Sequence, residues 1–316
     1  MVRYLARRVA TGVGLLLLGL TLIFFVIRTV PGDPAALLAS GGGSGDASPE
    51  AIAQIREQLG LDQPLWAQYF GYLAGVVRGD FGTSFQFGTD VTPIILERLP
   101  KTLELVLGAT LIGVTVGIIL GVIAARRGGV VSTIITAMGS FAISIPVYVL
   151  GTVLVFAIAL QLRWLPAGGY VGWEDPADHL RILILPCITL AVPFAAIVAT
   201  ITRSGLVETA QQDWVRTARS WGMSPNSVYG RHVLRNSLTA VLTIVGLEIG
   251  LMFGSTILVE QVYSYPGLSQ LMIRSVEQRD YPIVQGVAIM AAAFFILVNI
   301  LVDVLYGVLD PRARRR

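Results

Sequence analysis

The sequence predicts an all-α polytopic membrane protein, with six transmembrane helices, an extracytoplasmic helical insertion after the first, and a cytoplasmic helix pair between the fourth and fifth. Three observations predict this class. Of 316 residues, 54% are hydrophobic and only 14% charged, a balance far from that of soluble chains. The mean hydropathy is +0.72. Six apolar runs are each long enough to cross a hydrocarbon core, which takes roughly 20 residues as helix. These runs lack strand alternation, and backbone in lipid must bond within its own segment, so helices are the expected form.

The first run, Val9–Ile27, is uncharged and follows the basic start MVRYLARR. A secretory signal has the same polarity, but this run is longer than a usual signal core and no small-residue cleavage site follows closely. A retained helix over residues 1–29 is expected. Residues 30–101 then form the insertion. Its opening, TVPGDPAALLASGGGSGDASP, is dense in Pro, Gly and Asp and reads as turns. Ser48 and Pro49 can cap and start a helix carrying Ile52, Ile55 and Leu59, which Gly60 ends. Asp62 and Pro64 start another, with Leu65, Tyr69 or Phe70, Leu73 and Val77 on one face, until RGDFGTSF breaks it. These stripes are expected to pack on the outer ends of membrane helices or to lie at the lipid headgroups.

Residues 102–316 hold the other five helices. In the second run, Leu105–Ala125, Gly113, Gly117 and Gly121 recur at a spacing of four, which makes a groove where a neighbouring helix can approach closely. The third, Val130–Leu160, contains Pro146, and the fourth, Ile182–Thr202, contains Pro186, Pro193 and Cys187. Each proline removes one intrahelical bond and should bend its helix. Glu248 stands midway along the fifth run, Leu238–Val259, where a carboxylate costs a few kcal/mol unless it faces water or a partner. A residue lining a translocation path and a carboxyl bonded to a neighbouring helix are both compatible with that position. In the sixth run, Ile283–Val302, Asn299 shares a face with Asp303 beyond its end, where a structural role is expected.

Arginine sets the orientation. One side of a six-helix arrangement would hold Arg3, Arg7, Arg8, Arg126, Arg127, Arg203, Arg216, Arg219, Arg231, Arg235, Arg312, Arg314, Arg315 and Arg316, out of 23 basic residues. That side, with both termini, is expected to be cytoplasmic. The lone cysteine excludes an intrachain disulfide, and His179 and His232 fall in loops on opposite sides. The single lysine, Lys101, follows Pro100, so the chain has no phosphate-binding loop of the Gly-Lys type. Neither a paired zinc-ligand motif nor a serine and histidine arrangement at membrane depth suggests an enzyme.

Between the fourth and fifth runs, residues 203–237 contain ETAQQDWVRTARSWGMSPNSVYGRHVLRNSL up to Leu238. Helical periodicity from Val207 to about Ser220 puts Val207, Ala210, Trp214, Ala218 and Trp221 on one side and Gln212, Arg216 and Arg219 on another. Gly222 stops this helix, and Ser224 and Pro225 restart the chain as cap and first residue. Val228, Tyr229 and Val233 continue an apolar face to Leu238. The pair is expected to be a stiff knob. Helix, turn, helix with arginines also suggests DNA binding, but both ends run into membrane helices, which leaves no freedom to enter a groove. A protein partner covers Trp214, Trp221 and Tyr229 better.

The stretch resembles the cytoplasmic coupling loop of ABC importer permeases, whose general pattern is Glu-Ala-Ala, three residues, Gly, nine residues, Ile-x-Leu-Pro. Arg216, Thr217 and Ala218 take the Glu-Ala-Ala positions, Gly222 the glycine, and His232, Val233, Leu234 and Arg235 the end; Ala218, Gly222 and Leu234 match. DWVRTARSWGMSPNSV followed by RHVLRNSL is similar to the version in the dipeptide, oligopeptide and nickel branch. So are VPGDP, LGLDQPLWAQYFGYL, RGDFGTSF, ERLPKTLEL, EQVYSYPGLSQL, RDYPIVQG and DVLYGVLDPR, which spread over nearly the whole chain.

The resemblance implies a non-catalytic permease of a bacterial cytoplasmic (inner) membrane that forms the path with a second, related permease. Two cytoplasmic ATPase subunits would bind ATP and Mg, and an external solute-binding protein would deliver a peptide. No cofactor is expected on this chain and no nucleic acid. The residues implied in ATPase coupling are Trp214, Arg216, Thr217, Ala218, Arg219, Gly222, Ser224, Pro225, Tyr229 and Leu234, with Glu248 as a path residue. Nickel chelates or glutathione are alternative cargoes. From another class, an ion-coupled secondary transporter could use Glu248 and Asp303.

Overall fold

A computed structural model describes residues 2–29, 34–39, 48–58, 60–224 and 227–309. The described residues form helices α1 (Val2–Thr29), α2 (Pro34–Ala39), α3 (Pro49–Gln58), α4 (Leu65–Arg78), α5 (Val91–Arg127), α6 (Gly129–Ser144), α7 (Val147–Leu154), α8 (Pro176–Ala210), α9 (Asp213–Ser220), α10 (Leu234–Val262), α11 (Leu268–Glu277) and α12 (Tyr281–Leu309). Two π-helical segments, Val155–Gln161 and Val228–Val233, extend α7 and lead into α10. Among the described residues, five helices are long and apolar enough to cross a membrane. The sixth candidate is a broken pair.

That pair corrects the reading of the third run as one helix. Gly129–Ser144 and Val147–Gln161 meet at 100°. The cause is local, because the ring of Pro146 disfavours helical geometry in the residue before it, and Ile145 is extended with ψ 125°. Pro186 and Pro193, by contrast, lie inside a helix that continues to Ala210.

The chain gathers into two compact units, residues 7–102 with 266–296 and residues 103–265 with the two ends of the chain. In the first, Phe24 of α1 is buried, with ring centroids of Tyr69 and Tyr72 at 5.3 and 5.5 Å. Thr21 and Tyr69 share a hydroxyl hydrogen bond of 2.7 Å, and Arg28 donates to Gln68 at 2.7 Å. The face of α4 that covers α1 is thus Gln68, Tyr69 and Tyr72, whereas Leu65, Phe70 and Val77 of the expected stripe are exposed. The predicted starts and stops of α3 hold: the Ser48 hydroxyl accepts from the Ala51 amide at 3.2 Å, and Gly60 has φ +62°. Asp62 is not the cap of α4; Pro64 occupies that position without a side-chain bond.

The second unit is built on α8, whose buried residues run from His179 to Thr209. Gly113, Gly117 and Gly121 of α5 face it. A Cβ on them would fall 2.4 Å from Phe194, 2.6 Å from Val198 and 2.6 Å from Thr202, so the glycine groove is filled by α8. Cys187 is buried against the same face, where a Cβ on Gly108 would lie 2.7 Å from its sulfur. Thr189 of α8 bonds the hydroxyl of Tyr263 at 2.8 Å, Arg203 donates to Ser132 of α6 at 2.7 Å, and Gly246 of α10 receives Val302 of α12.

Candidate functional site

The polar stretch after α8 folds differently from one continuous helix. Amides of Gln211 and Gln212 bond back to the carbonyls of Glu208 and Thr209, and Gln212 then turns extended with ψ 146°. Asp213 opens a new helix, α9, where its charge suits the N-terminal end of the helix dipole. This break changes which residues point inward. Val215, absent from the expected stripe, is fully buried with Leu206, Val228 and Val233. Ala210, Trp214, Ala218, Met223, Tyr229 and Leu234 pack around them, as do Val122 and Ala125 of α5. Val207 and Trp221 lie outside, Trp221 at 81% exposure.

Gly222 ends α9 as the sequence predicts. The amide of Met223 bonds the carbonyl of Ala218 at 3.3 Å and that of Gly222 bonds Arg219 at 3.0 Å, the paired bonds of a left-handed helix stop. Gly222 has φ +82°, and nothing lies within 4 Å of the place a Cβ would occupy. Backbone angle, not space, therefore calls for glycine. Ser224 caps the next segment: its hydroxyl accepts from the Ser227 amide at 3.3 Å and its carbonyl from Val228 at 3.0 Å. Pro225 lies outside the described residues. The second member of the pair is no detached helix, because Val228–Val233 winds directly into α10.

A side of this knob is left open. Arg216, Thr217, Arg219, Trp221, Gly222 and Ser224 are exposed, and Ala218, Tyr229 and Leu234 are half-buried. The Arg126 guanidinium at the end of α5 stands 5.9 Å from the Tyr229 ring, within cation–π range. One apolar cluster therefore joins the ends of α5 and α8 to α9 and the start of α10. Displacing α9 must move or strain all of them, since packed interiors yield little.

Glu248 is half-buried on α10 and engages no hydrogen-bond or ion-pair partner among the described residues. It shares a face with buried Val241 and Met252, and borders the exposed stripe of Leu247, Leu251 and Leu258. Gly246, which meets Val302, points elsewhere. The carboxylate thus sits on a seam. The side chain of Asp303, its expected companion in ion coupling, lies outside the described residues.

Comparison with known families shows where the chain belongs. The family described as "Binding-protein-dependent transport system inner membrane component" matches residues 117–315, and its N-terminal companion matches residues 1–106. The chain belongs to this permease family. A peptide transport system permease of Brucella abortus is 39% identical over 316 residues, 99% of each chain. A peptide ABC transporter permease of Sinorhizobium fredii is 37% identical over 98% of this chain and 99% of its own. The glutathione transport system permease GsiC of Salmonella choleraesuis is 37% identical over 99% of each. Among solved structures, the MetNI methionine ABC transporter in an inward-facing form is similar with a TM-score of 0.55 at 14% identity, over 69% of this chain and 96% of that one. This likeness supports the permease fold. The exposed face of α9 is then a polar part of a membrane permease that is stiffly tied to its helices.

Proposed function

We propose that this permease is one of two related membrane subunits of an ATP-driven importer of dipeptides and oligopeptides in a bacterial cytoplasmic membrane, with both termini inside. An external binding protein presents the peptide, and two cytoplasmic ATPases, which hold ATP and Mg, dock on α9 and the turn at Gly222. The observation that carries this reading is the knob itself: Arg216, Arg219 and Trp221 offer an open face, while Val215 behind them is locked to three other segments. Aromatic and arginine side chains are common anchors at protein interfaces. Similarity along nearly the full length to permeases named for peptide transport supports the cargo.

A glutathione cargo is the second reading, favoured by the GsiC relative; glutathione is itself peptide-like, so the same path suits both. Reconstitution with the partner subunits tests the proposal. Uptake of a labelled dipeptide should require ATP and the binding protein, and should outcompete glutathione and a nickel chelate. Uptake that follows an ion gradient and ignores ATP would overturn it.

A further inference from the structure

At the opposite end of α8 from the knob, a cluster of side chains closes on one carboxylate. His179 and Leu206 are 27 residues apart on this helix, which sets them about 40 Å apart along its axis. Glu104 of α5 accepts the indole N–H of Trp173 at 2.8 Å and the hydroxyl of Tyr265 at 3.0 Å. Nε2 of His179, 1% exposed at the start of α8, stands 3.5 Å from the same carboxylate without a hydrogen bond. One carboxylate thus gathers the start of α8, the segment after α10 and the loop before α8.

We infer that Glu104 is the positioning residue of a proton-responsive latch: with His179 it holds these helix ends together, more tightly when the imidazole carries its second proton. The ring geometry gives the sign. Nδ1 of His179 lies 2.6 Å from the carbonyl of Val171, which can only accept, so Nδ1 carries a hydrogen. Neutral imidazole then turns a lone pair on Nε2 toward the carboxylate. Imidazolium turns an N–H toward it instead, forming an ion pair in a partly buried setting.

The other groups around the ring do not take over this role. Tyr170 meets both His179 and Tyr265 edge-on, at 5.8 and 5.5 Å, and the Trp173 ring lies 4.1 Å from the imidazole. Burial and the neighbouring carboxylate push the Tyr265 hydroxyl well above the usual tyrosine range, so it stays a donor. Asp175 caps α8 by accepting from the Asp178 amide, Asp178 pairs with Arg181 at 3.1 Å, and the Cys187 thiol points at the Leu105 carbonyl. Glu104 is the acid the imidazole faces. The ion pair therefore exists only while the imidazole is protonated and the carboxylate is not, and it loosens as rising pH takes the second proton from the imidazole.

That the latch sits on the external side rests on the importer reading, so the test has two arms. A protonated imidazole quenches a stacked indole, and Trp173 reports it. In the assembled complex in nanodiscs, the emission lost in Trp173→Phe should rise as the pH is raised and the imidazole loses its second proton. Glu104→Gln should alter this pH dependence, and His179→Gln should abolish it. A flat Trp173 signal, or the parental pH dependence in Glu104→Gln, overturns the latch. In proteoliposomes, peptide uptake should be several-fold slower at acid than at alkaline external pH, and His179→Gln should remove that dependence. Titration without any effect on uptake, or with the opposite sign, overturns the positioning role. The optical arm needs no transport, so it stands or falls apart from the importer reading.

Discussion

The buried carboxylate of Asp280 accepts a hydrogen bond from the hydroxyl of Ser84, a residue 196 positions earlier in the chain. The same carboxylate takes the amides of Phe85 and Gln86, each at 3.1 Å, so it organises the turn after the RGDFG segment. Replacing Asp280 with Ala leaves three donors without their acceptor, at a cost of about 1–3 kcal/mol for each that stays buried. Hydrogen exchange should show the Phe85 and Gln86 amides exchanging markedly faster, with a lower melting temperature. Unchanged protection at these amides would mean the turn holds itself.

The groove on α5 predicts a graded response to one methyl group. In Gly117→Ala the new Cβ meets Val198 at 2.6 Å and the Ala195 carbonyl at 2.8 Å, and a carbonyl cannot swing aside. The loss should be about 1–3 kcal/mol. Gly14→Ala, with nothing within 4 Å, serves as the comparison and should melt like the parent. Equal melting of the two variants would contradict the packing.

At Gly222 the backbone decides. Valine there should cost about 1–2 kcal/mol and misdirect the turn, whereas asparagine, which visits the left-handed region, should be tolerated. The reading is substrate-stimulated ATP hydrolysis in purified complexes, lost in Gly222→Val and kept in Gly222→Asn. Full coupling in the valine variant would remove the turn from the mechanism.

The two tryptophans of the knob should separate. Trp221 is exposed and Trp214 packs on the cluster of Val215 and Leu206. Trp221→Ala should weaken ATPase retention by about 2 kcal/mol with little change in melting temperature. Trp214→Ala should lower the melting temperature instead. The reverse pattern would show that the docking face has been assigned to the wrong side of α9.

Glu248→Gln removes a charge that has no partner among the described residues. Its melting temperature should equal or exceed that of the parent, because a lone carboxylate at membrane depth costs a few kcal/mol. Uptake should fall. A parental rate and cargo preference would make Glu248 a structural residue.

How much of this was legible in the sequence depends on the range of the interaction concerned. Local signals were readable: Gly60, Gly222 and Ser224 stop or cap segments through bonds within five residues. So was the glycine groove, because a spacing of four needs only one helix to be seen. The inward position of Val215 was not, since it follows from a two-residue break at Gln211 and Gln212 that rotates α9; Asp213 at its first position was the available hint. The 100° bend at Pro146 shows the same limit, as a proline announces a bend but not its angle. The roles of Glu104 and Asp280 were not legible, because their partners are far along the chain.

The π-helical turn at Val228–Val233 fixes an angular register between the knob and everything above it on α10. Residues on an α-helix are about 100° apart around the axis and a π turn holds one residue more than an α turn, so rewinding it as α-helix with every residue kept would rotate the upper part of α10 by that angle. Glu248 would then leave the seam it occupies, and Leu247 would take its place. The turn acts as a screw thread of one fixed setting, and tightening it would change which side chain α10 offers at that seam without altering any residue near Glu248.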